Sequence, residues 1–171
     1  MTGAAALAAS LLRRLRATAP LRPPGARPEP AFVALCLRCD RCVEVCPPRA
    51  LRASSGAGRA AGTPRVEPRR AACTLCLRCP PVCPSGALRP IRDPRDACMG
   101  RARVAEASCY AFQGILCRTC LDACPFQGEA IRQDGELRPV VTDRCVGCGL
   151  CEERCPAPGS AIAVVPREAR P

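Results

Sequence analysis

Hydrophobic residues in this chain form short clusters separated by turn residues, and four of these clusters follow one pattern. Each begins with Cys-Pro, continues through a few turn residues, and ends with Ala followed by Leu or Ile. We interpret each cluster as a turn leading into a strand, with the proline ending a short helix before it. The predicted strands begin at Leu51, Leu88, Ile131 and Ile162, and the prolines are Pro47, Pro84, Pro125 and Pro156. A unit of short helix, turn and short strand is therefore predicted to recur four times.

The segments between these units predict two similar halves. Asp134-Gly135 lies between strand-like residues, which favours a hairpin between the third and fourth units. The Gly- and Ala-rich stretch ASSGAGRAAGTP in the corresponding place between the first two units predicts a longer, mobile loop. The charged residues 90–108 are expected to be a connector. We assign residues 31–92 to a first half and 93–171 to a second, each with internal pseudo-twofold symmetry.

The N-terminal residues 1–30 have a different character. Residues 1–19 contain no acid, and their leucines and arginines have the spacing of a short amphipathic helix ending before Pro20. A frayed terminal helix, a partner-binding segment and an organellar transit peptide are all compatible with it. An export signal is disfavoured because no apolar run follows the arginine pair. Four prolines predict an extended linker up to residue 30, namely Pro23, Pro24, Pro28 and Pro30.

Composition limits how the chain can be stabilised. With three Phe, one Tyr and no Trp in 171 residues, it lacks the large side chains that usually fill a core. No stretch approaches the roughly twenty apolar residues that span a bilayer, so we expect no membrane span and a soluble protein. The formal charge of +11 counts every cysteine as neutral, and anionic clusters would remove most of it. We therefore expect no nucleic-acid partner.

Sixteen of the seventeen cysteines lie in four motifs. These are CLRCDRCVEVCP (motif 1), CTLCLRCPPVCP (motif 2), the stretched CYAFQGILCRTCLDACP (motif 3) and CVGCGLCEERCP (motif 4). The spacing is that of bacterial ferredoxins, in which the fourth cysteine serves the other cluster of a two-cluster domain. Structural zinc usually takes well-separated CxxC pairs, often with His, and this chain has no His. We predict an α+β fold of tandem bacterial 2[4Fe-4S] ferredoxin-like domains, stabilised by four [4Fe-4S] clusters, with a zinc protein as the alternative.

The cluster ligands are expected to be crossed between motifs. Crossed ligation predicts four sets: Cys36, Cys39, Cys42 with Cys83; Cys73, Cys76, Cys79 with Cys46; Cys109, Cys117, Cys120 with Cys155; and Cys145, Cys148, Cys151 with Cys124. A nested arrangement, joining motif 1 to motif 4 and motif 2 to motif 3, uses the same residues and stays open. Cys98 is left over. We favour Cys109 over Cys98 as the first ligand of motif 3, because closing a shorter loop costs less entropy.

The chemistry of the chain points to electrons rather than to substrate turnover. It has no GxGxxG, P-loop, CxxCH or His, so we expect no enzyme activity of its own. Gly147 and Gly149 permit positive φ angles or a close approach to the fourth-motif cluster. The loops of motifs 1 and 2 carry Arg38, Arg41 and Arg78 instead, and cations favour the reduced cluster. The first-half clusters are therefore predicted to have higher potentials than the fourth-motif cluster.

Motif 3, with its seven-residue span and aromatic-Gln pair, resembles the NapF-type four-cluster ferredoxins of the periplasmic nitrate reductase system. The order of four motifs, the LRPPG segment and the CVGCGLC ending are also similar. This resemblance implies the same sixteen cysteine ligands. It further implies a cytoplasmic accessory protein that binds the precursor of the nitrate reductase catalytic subunit and assists its iron-sulfur loading. A polyferredoxin that feeds electrons to an oxidoreductase is the alternative function.

Overall fold

The computed structural model describes residues 20–55 and 58–167. The predicted N-terminal helix and the tip of the Gly- and Ala-rich loop lie outside the described residues. Among these described residues the α-helices are α1 (Glu29–Leu35), α2 (Arg41–Glu44), α3 (Thr119–Asp122) and α4 (Leu150–Arg154). Short 3₁₀ helices cover Pro94–Ala97, Glu106–Ser108 and Ala111–Gln113. The strands are β1 (Leu51–Ala53), β2 (Pro64–Val66), β3 (Gly100–Val104), β4 (Ile131–Gln133), β5 (Pro139–Val141) and β6 (Ile162–Pro166).

The strands form three antiparallel pairs, β1 with β2, β3 with β6 and β4 with β5. Each of the two hairpins joins a strand that follows a Cys-Pro turn to the strand that leads into the next motif. In the β4–β5 hairpin, the Asp134 carboxylate accepts the N–H groups of Glu136 and Arg138, each at 2.9 Å. The predicted hairpin at Asp134-Gly135 is therefore confirmed, and its aspartate orders the loop.

Motif 2 departs from the predicted unit in two ways. Residues 79–82 form turns rather than a helix. Pro80 and Pro81 explain this, because neither has an N–H to donate to a helical carbonyl. Leu88 forms an isolated antiparallel bridge with Ala26 instead of beginning a strand. Pro90, two residues on, cannot extend the pairing.

The charged stretch 90–108 is more than a connector. It contains β3, whose five residues pair with β6 from Gly100 opposite Pro166 to Val104 opposite Ile162. Gly100 and Ala102 are buried while Arg101 bonds to the Val141 carbonyl at 2.8 Å, so the arginines lie on the outer face. The Ala26–Leu88 bridge occupies the equivalent place in the first half, which accords with the predicted pseudo-symmetry.

The predicted Pro-rich linker is buried over residues 21–25, and the first helix begins at Glu29. Leu21 to Gly25 are buried, and Pro23 and Pro24 are among the most deeply buried side chains. Arg22 is buried with them and donates to the Glu29 carboxylate at 2.6 and 2.8 Å. Arg22 also donates to the Thr63 hydroxyl and the Pro64 carbonyl, so this segment packs against residues of the first half.

One hydrophobic core contains residues from both halves. Its members include Phe32 and Leu88 from the first half and Ile131 and Val164 from the second, with partly buried cysteines packed around them. The division of the chain at residues 30 and 92 stays a prediction. None of the helices in the described part of the chain has the length and hydrophobicity needed to cross a bilayer.

Candidate iron-sulfur centres

The cysteine loops of motifs 1, 2 and 4 share one pattern of positive φ angles. Counting from the first cysteine, the second and fourth residues that follow it have positive φ angles in each motif. These residues are Arg38 and Asp40, Leu75 and Leu77, and Gly147 and Gly149. A non-glycine residue in this region costs on the order of 1–3 kcal/mol, and such strain persists only where its surroundings fix it. Alternating left- and right-handed residues turn successive N–H groups toward one side, as in backbone nests that hold anions and iron-sulfur clusters.

Motif 3 has a longer first loop, which folds differently from the loops of the other motifs. The span between Cys109 and Cys117 folds into the 3₁₀ helix Ala111–Gln113, closed by Gly114 at φ +78°. The Ile115 N–H donates to the Tyr110 carbonyl at 2.9 Å, which returns the chain to its starting point. The seven-residue insertion is thus a compact turn.

In the first half, each fourth cysteine lies beside the other motif. The Cys42 thiol has Cys36, Cys39 and Cys83 as its electrostatic neighbours. We call this group, made of Cys36, Cys39, Cys42 and Cys83, site 1. The Cys79 thiol has Cys73 and Cys46 among its neighbours, and Cys73 has Cys76. Site 2 comprises Cys73, Cys76, Cys79 and Cys46.

The second half repeats the exchange. Buried Cys109 packs with Ala157, Ala161 and Cys155, and it also neighbours Cys120. Cys148 and Cys151 both have Cys124 and Cys145 as neighbours. Site 3 comprises Cys109, Cys117, Cys120 and Cys155, and site 4 comprises Cys145, Cys148, Cys151 and Cys124. In both halves the structure brings together the crossed sets and not the nested ones.

Backbone N–H groups point at four of these sulfurs. Leu88 N donates to Cys83 Sγ at 3.4 Å, and Ala161 N donates to Cys155 Sγ at 3.3 Å. In both contacts the acceptor is the fourth cysteine of a motif, and the donor lies at or next to the start of the segment that follows the Cys-Pro turn. The other two run from Leu75 N to Cys73 Sγ at 3.4 Å and from Ala102 N to Cys145 Sγ at 3.5 Å. Such bonds stabilise thiolates and tune the potential of a cluster bound to them.

The thiol groups of these sites have raised pKa values, so a nearby cation is needed to make them thiolates. Burial, reinforced by neighbouring thiols, raises the pKa of Cys42 to about 11 and that of Cys79 to about 12. In site 4 the same two causes raise the pKa of Cys151 well above its usual value. Thiols in such places become thiolates when positive charge lies among them, which iron supplies. The crossed sets and the N–H groups directed at sulfur therefore fit [4Fe-4S] clusters.

A cubane takes one thiolate at each of four separated iron corners. In residues 20–55 and 58–167, no three His, Cys, Asp or Glu side chains are placed to hold one metal ion together.

Cys98 belongs to none of the four sets of cysteines. It is exposed and has φ +40°. The Arg167 guanidinium donates from Nη1 to Cys98 Sγ at 3.9 Å. Cys109 is buried at site 3. The placement favours Cys109 as the first ligand of motif 3.

The two glycines of motif 4 permit close packing as well as positive φ. A Cβ on Gly147 would lie 2.4 Å from the Gly100 nitrogen, and one on Gly149 would lie 2.5 Å from Pro68 Cβ. At the place of Gly147, motif 1 has Arg38, whose guanidinium binds the Ala61 and Arg59 carbonyls at 2.8 Å each. Neither Pro68 nor the strained leucines of motif 2 carried a sequence signal, although alignment of the motifs places those leucines opposite the glycines.

Comparison with known proteins agrees with this geometry. Two family models, both described as a 4Fe-4S dicluster domain, match residues 35–87 and 107–156. The methylamine utilization ferredoxin-type protein MauM of Methylophilus methylotrophus is 40% identical over 170 residues, covering 91% of this chain and 75% of the relative. The chain belongs to the ferredoxin-type iron-sulfur proteins. The predicted tandem dicluster organisation with short helices and strands is confirmed, and proteins of this type are electron carriers rather than enzymes.

Other relatives within this family are equally similar. The ferredoxin-type protein NapG of Escherichia coli is 41% identical over 162 residues, covering 85% of this chain and 70% of the relative. The ferredoxin-type protein NapF of Haemophilus influenzae is 40% identical over 142 residues, covering 80% and 74%. The NapF-type resemblance is therefore one of three, since NapG and MauM are as close.

Proposed function

We propose that this protein binds four [4Fe-4S] clusters and transfers electrons between redox partners. The observation that carries the proposal is the assembly of sixteen cysteines into four crossed groups of four. The ligands are Cys36, Cys39, Cys42 and Cys83 at site 1; Cys73, Cys76, Cys79 and Cys46 at site 2; Cys109, Cys117, Cys120 and Cys155 at site 3; and Cys145, Cys148, Cys151 and Cys124 at site 4.

When bound, such clusters accept and release single electrons. The chain supplies the surroundings of the sulfurs. Buried Val146 and Ala161 shield sites 4 and 3 from water, and backbone N–H groups donate to Cys83 and Cys155. Crossed ligation also makes metal binding and folding of each half one event, because every site needs residues from two motifs.

Anaerobic purification with iron and acid-labile sulfide analysis tests the cofactor content. The expected result is about sixteen irons and sixteen sulfides per chain. A chain that instead holds zinc and no sulfide would refute the proposal. Cys83→Ser should remove about four irons, with the exposed Cys98→Ser as a matched control that removes none.

A second candidate function is maturation of a partner enzyme, and the NapF likeness favours it. In this role the protein acts in the cytoplasm on the precursor of the catalytic subunit of periplasmic nitrate reductase, and assists its iron-sulfur loading. We expect that precursor to co-purify with this protein. It should not co-purify when an unrelated ferredoxin is the bait. A deletion strain that still makes fully active reductase would exclude this role and leave electron transfer.

A further inference from the structure

The four sites are neighbours in a fixed order. Site 1 adjoins site 2 within the first half, because the Cys79 thiol of site 2 has Cys42 of site 1 among its neighbours. Site 3 adjoins site 4 within the second half, because Cys151 of site 4 has Cys120 of site 3 among its neighbours. Each half thus contains a pair of adjacent sites.

Sites 2 and 4 join the two halves. The N–H of Cys73, in site 2, donates to the carbonyl of Cys148, in site 4, at 2.9 Å. The adjacent Ala72 N–H donates to the Glu153 carboxylate at 3.3 Å. Two candidate ligands from different halves are therefore linked by a direct backbone hydrogen bond.

Packing at this junction is tight. Gly149 in motif 4 lies against Pro68 so closely that a Cβ on the glycine would come within 2.5 Å of the proline Cβ and 2.7 Å of its Cγ. Real Cβ atoms do not approach that closely, so a side chain at this position has to push the two loops apart. The two loops can therefore pack this closely only because residue 149 has no side chain.

We propose that the four sites form a single series in the order 1, 2, 4, 3, with the contact between Cys73 and Cys148 as the junction. This inference rests on the proposed cluster content. Sites 1 and 3 are then the two ends. A one-electron donor protein is oxidised at one end, a one-electron acceptor is reduced at the other, and each electron crosses between the halves through sites 2 and 4. The chain is one conduit rather than two independent ferredoxins.

Exposure agrees with this assignment of the ends. In the described part of the chain, four of the five exposed large hydrophobic side chains lie in or beside the loops of motifs 1 and 3. They are Leu35, Leu37, Ile115 and Leu116, and Leu116 is 80% exposed.

Electron paramagnetic resonance of the full chain, fully reduced by europium(II), tests the order through magnetic coupling between neighbouring clusters. The decisive variants are Cys39→Ser, which disables site 1, and Cys76→Ser, which disables site 2; both cysteines are exposed and equivalent in their motifs. A single series predicts that Cys39→Ser leaves three coupled clusters and no isolated signal. It predicts that Cys76→Ser leaves one isolated signal, from site 1. Two separate pairs would give an isolated signal in both variants, which would overturn the order.

A milder change tests the junction with every ligand in place. Gly149→Ala is expected to lose the coupling between sites 2 and 4 because its methyl group displaces Pro68. Gly128→Ala is the matched control, since Gly128 also has positive φ, at +82°, but no atom lies within 4 Å of its Cβ position. Equal coupling in both variants would overturn the junction. An unmodified chain without iron would refute the proposed function instead, whereas about sixteen irons with uncoupled signals would refute the order alone.

Discussion

Replacing the buried Arg22 by alanine should destabilise the first half more than replacing the exposed Arg27 of the same segment. The guanidinium donates to both Glu29 oxygens at 2.6 and 2.8 Å, to Thr63 Oγ1 at 2.9 Å and to the Pro64 carbonyl at 2.8 Å. It also lies over the Phe32 ring at 4.6 Å. The side chain is 8% exposed, so water cannot replace these partners without opening the structure.

The size of the effect follows from these contacts. Breaking a buried charged pair costs about 3–5 kcal/mol, and Glu29, at 38% exposure, places this pair at the lower end. We therefore expect a loss of about 3 kcal/mol, which corresponds to a roughly hundredfold faster opening if the contacts break before the unfolding barrier. Because cluster loss is irreversible, stability is measured as a rate.

The assay follows the loss of visible cluster absorbance in guanidinium under anaerobic conditions. Arg27→Ala is the matched control, because Arg27 lies in the same segment but is exposed and bonds to the Gly86 carbonyl at 2.8 Å. It should change the rate by less than about threefold, as surface substitutions usually do. Arg22→Lys should fall between the two, since it keeps the charge and loses the planar fork. Equal rates for Arg22→Ala and Arg27→Ala would refute the reasoning.

Three other predictions concern the clusters. Arg38→Gly with Arg41→Gly should lower one midpoint potential in a redox titration followed by paramagnetic resonance. Arg38 already has φ +54°, so glycine fits its backbone. An unchanged set of midpoint potentials would contradict the predicted influence of these cations. Cys109→Ser should reduce iron content by about a quarter while Cys98→Ser leaves it unchanged, and the reverse result would reassign the first ligand of motif 3. Removal of iron by an oxidant and chelator should abolish most far-ultraviolet circular dichroism, because sixteen thiols of this kind do not form a folded core without metal; a native spectrum after complete removal would argue against it.

Regular spacing explains how much of the site was predictable. Three motifs repeat the same interval between cysteines, so the candidate ligands, the number of repeats and the tandem dicluster organisation follow from local sequence. The β4–β5 hairpin was equally predictable, because Asp134-Gly135 specifies a turn within a few residues. The short helix predicted for motif 2 was wrong. Analogy with the other motifs suggested it, but Pro80 and Pro81 lack the N–H groups that a helix needs.

The sequence by itself determined the candidate ligands, which are sixteen cysteines in four motifs. It also determined the strands that follow three of the Cys-Pro turns. Only the tertiary structure decided how the motifs combine. Crossed and nested arrangements use the same residues, and the choice depends on long-range contacts such as Cys42 with Cys83. Strand β3, the buried Arg22 and the contact between Cys73 and Cys148 likewise escape local patterns, because each is stabilised by residues more than thirty positions away.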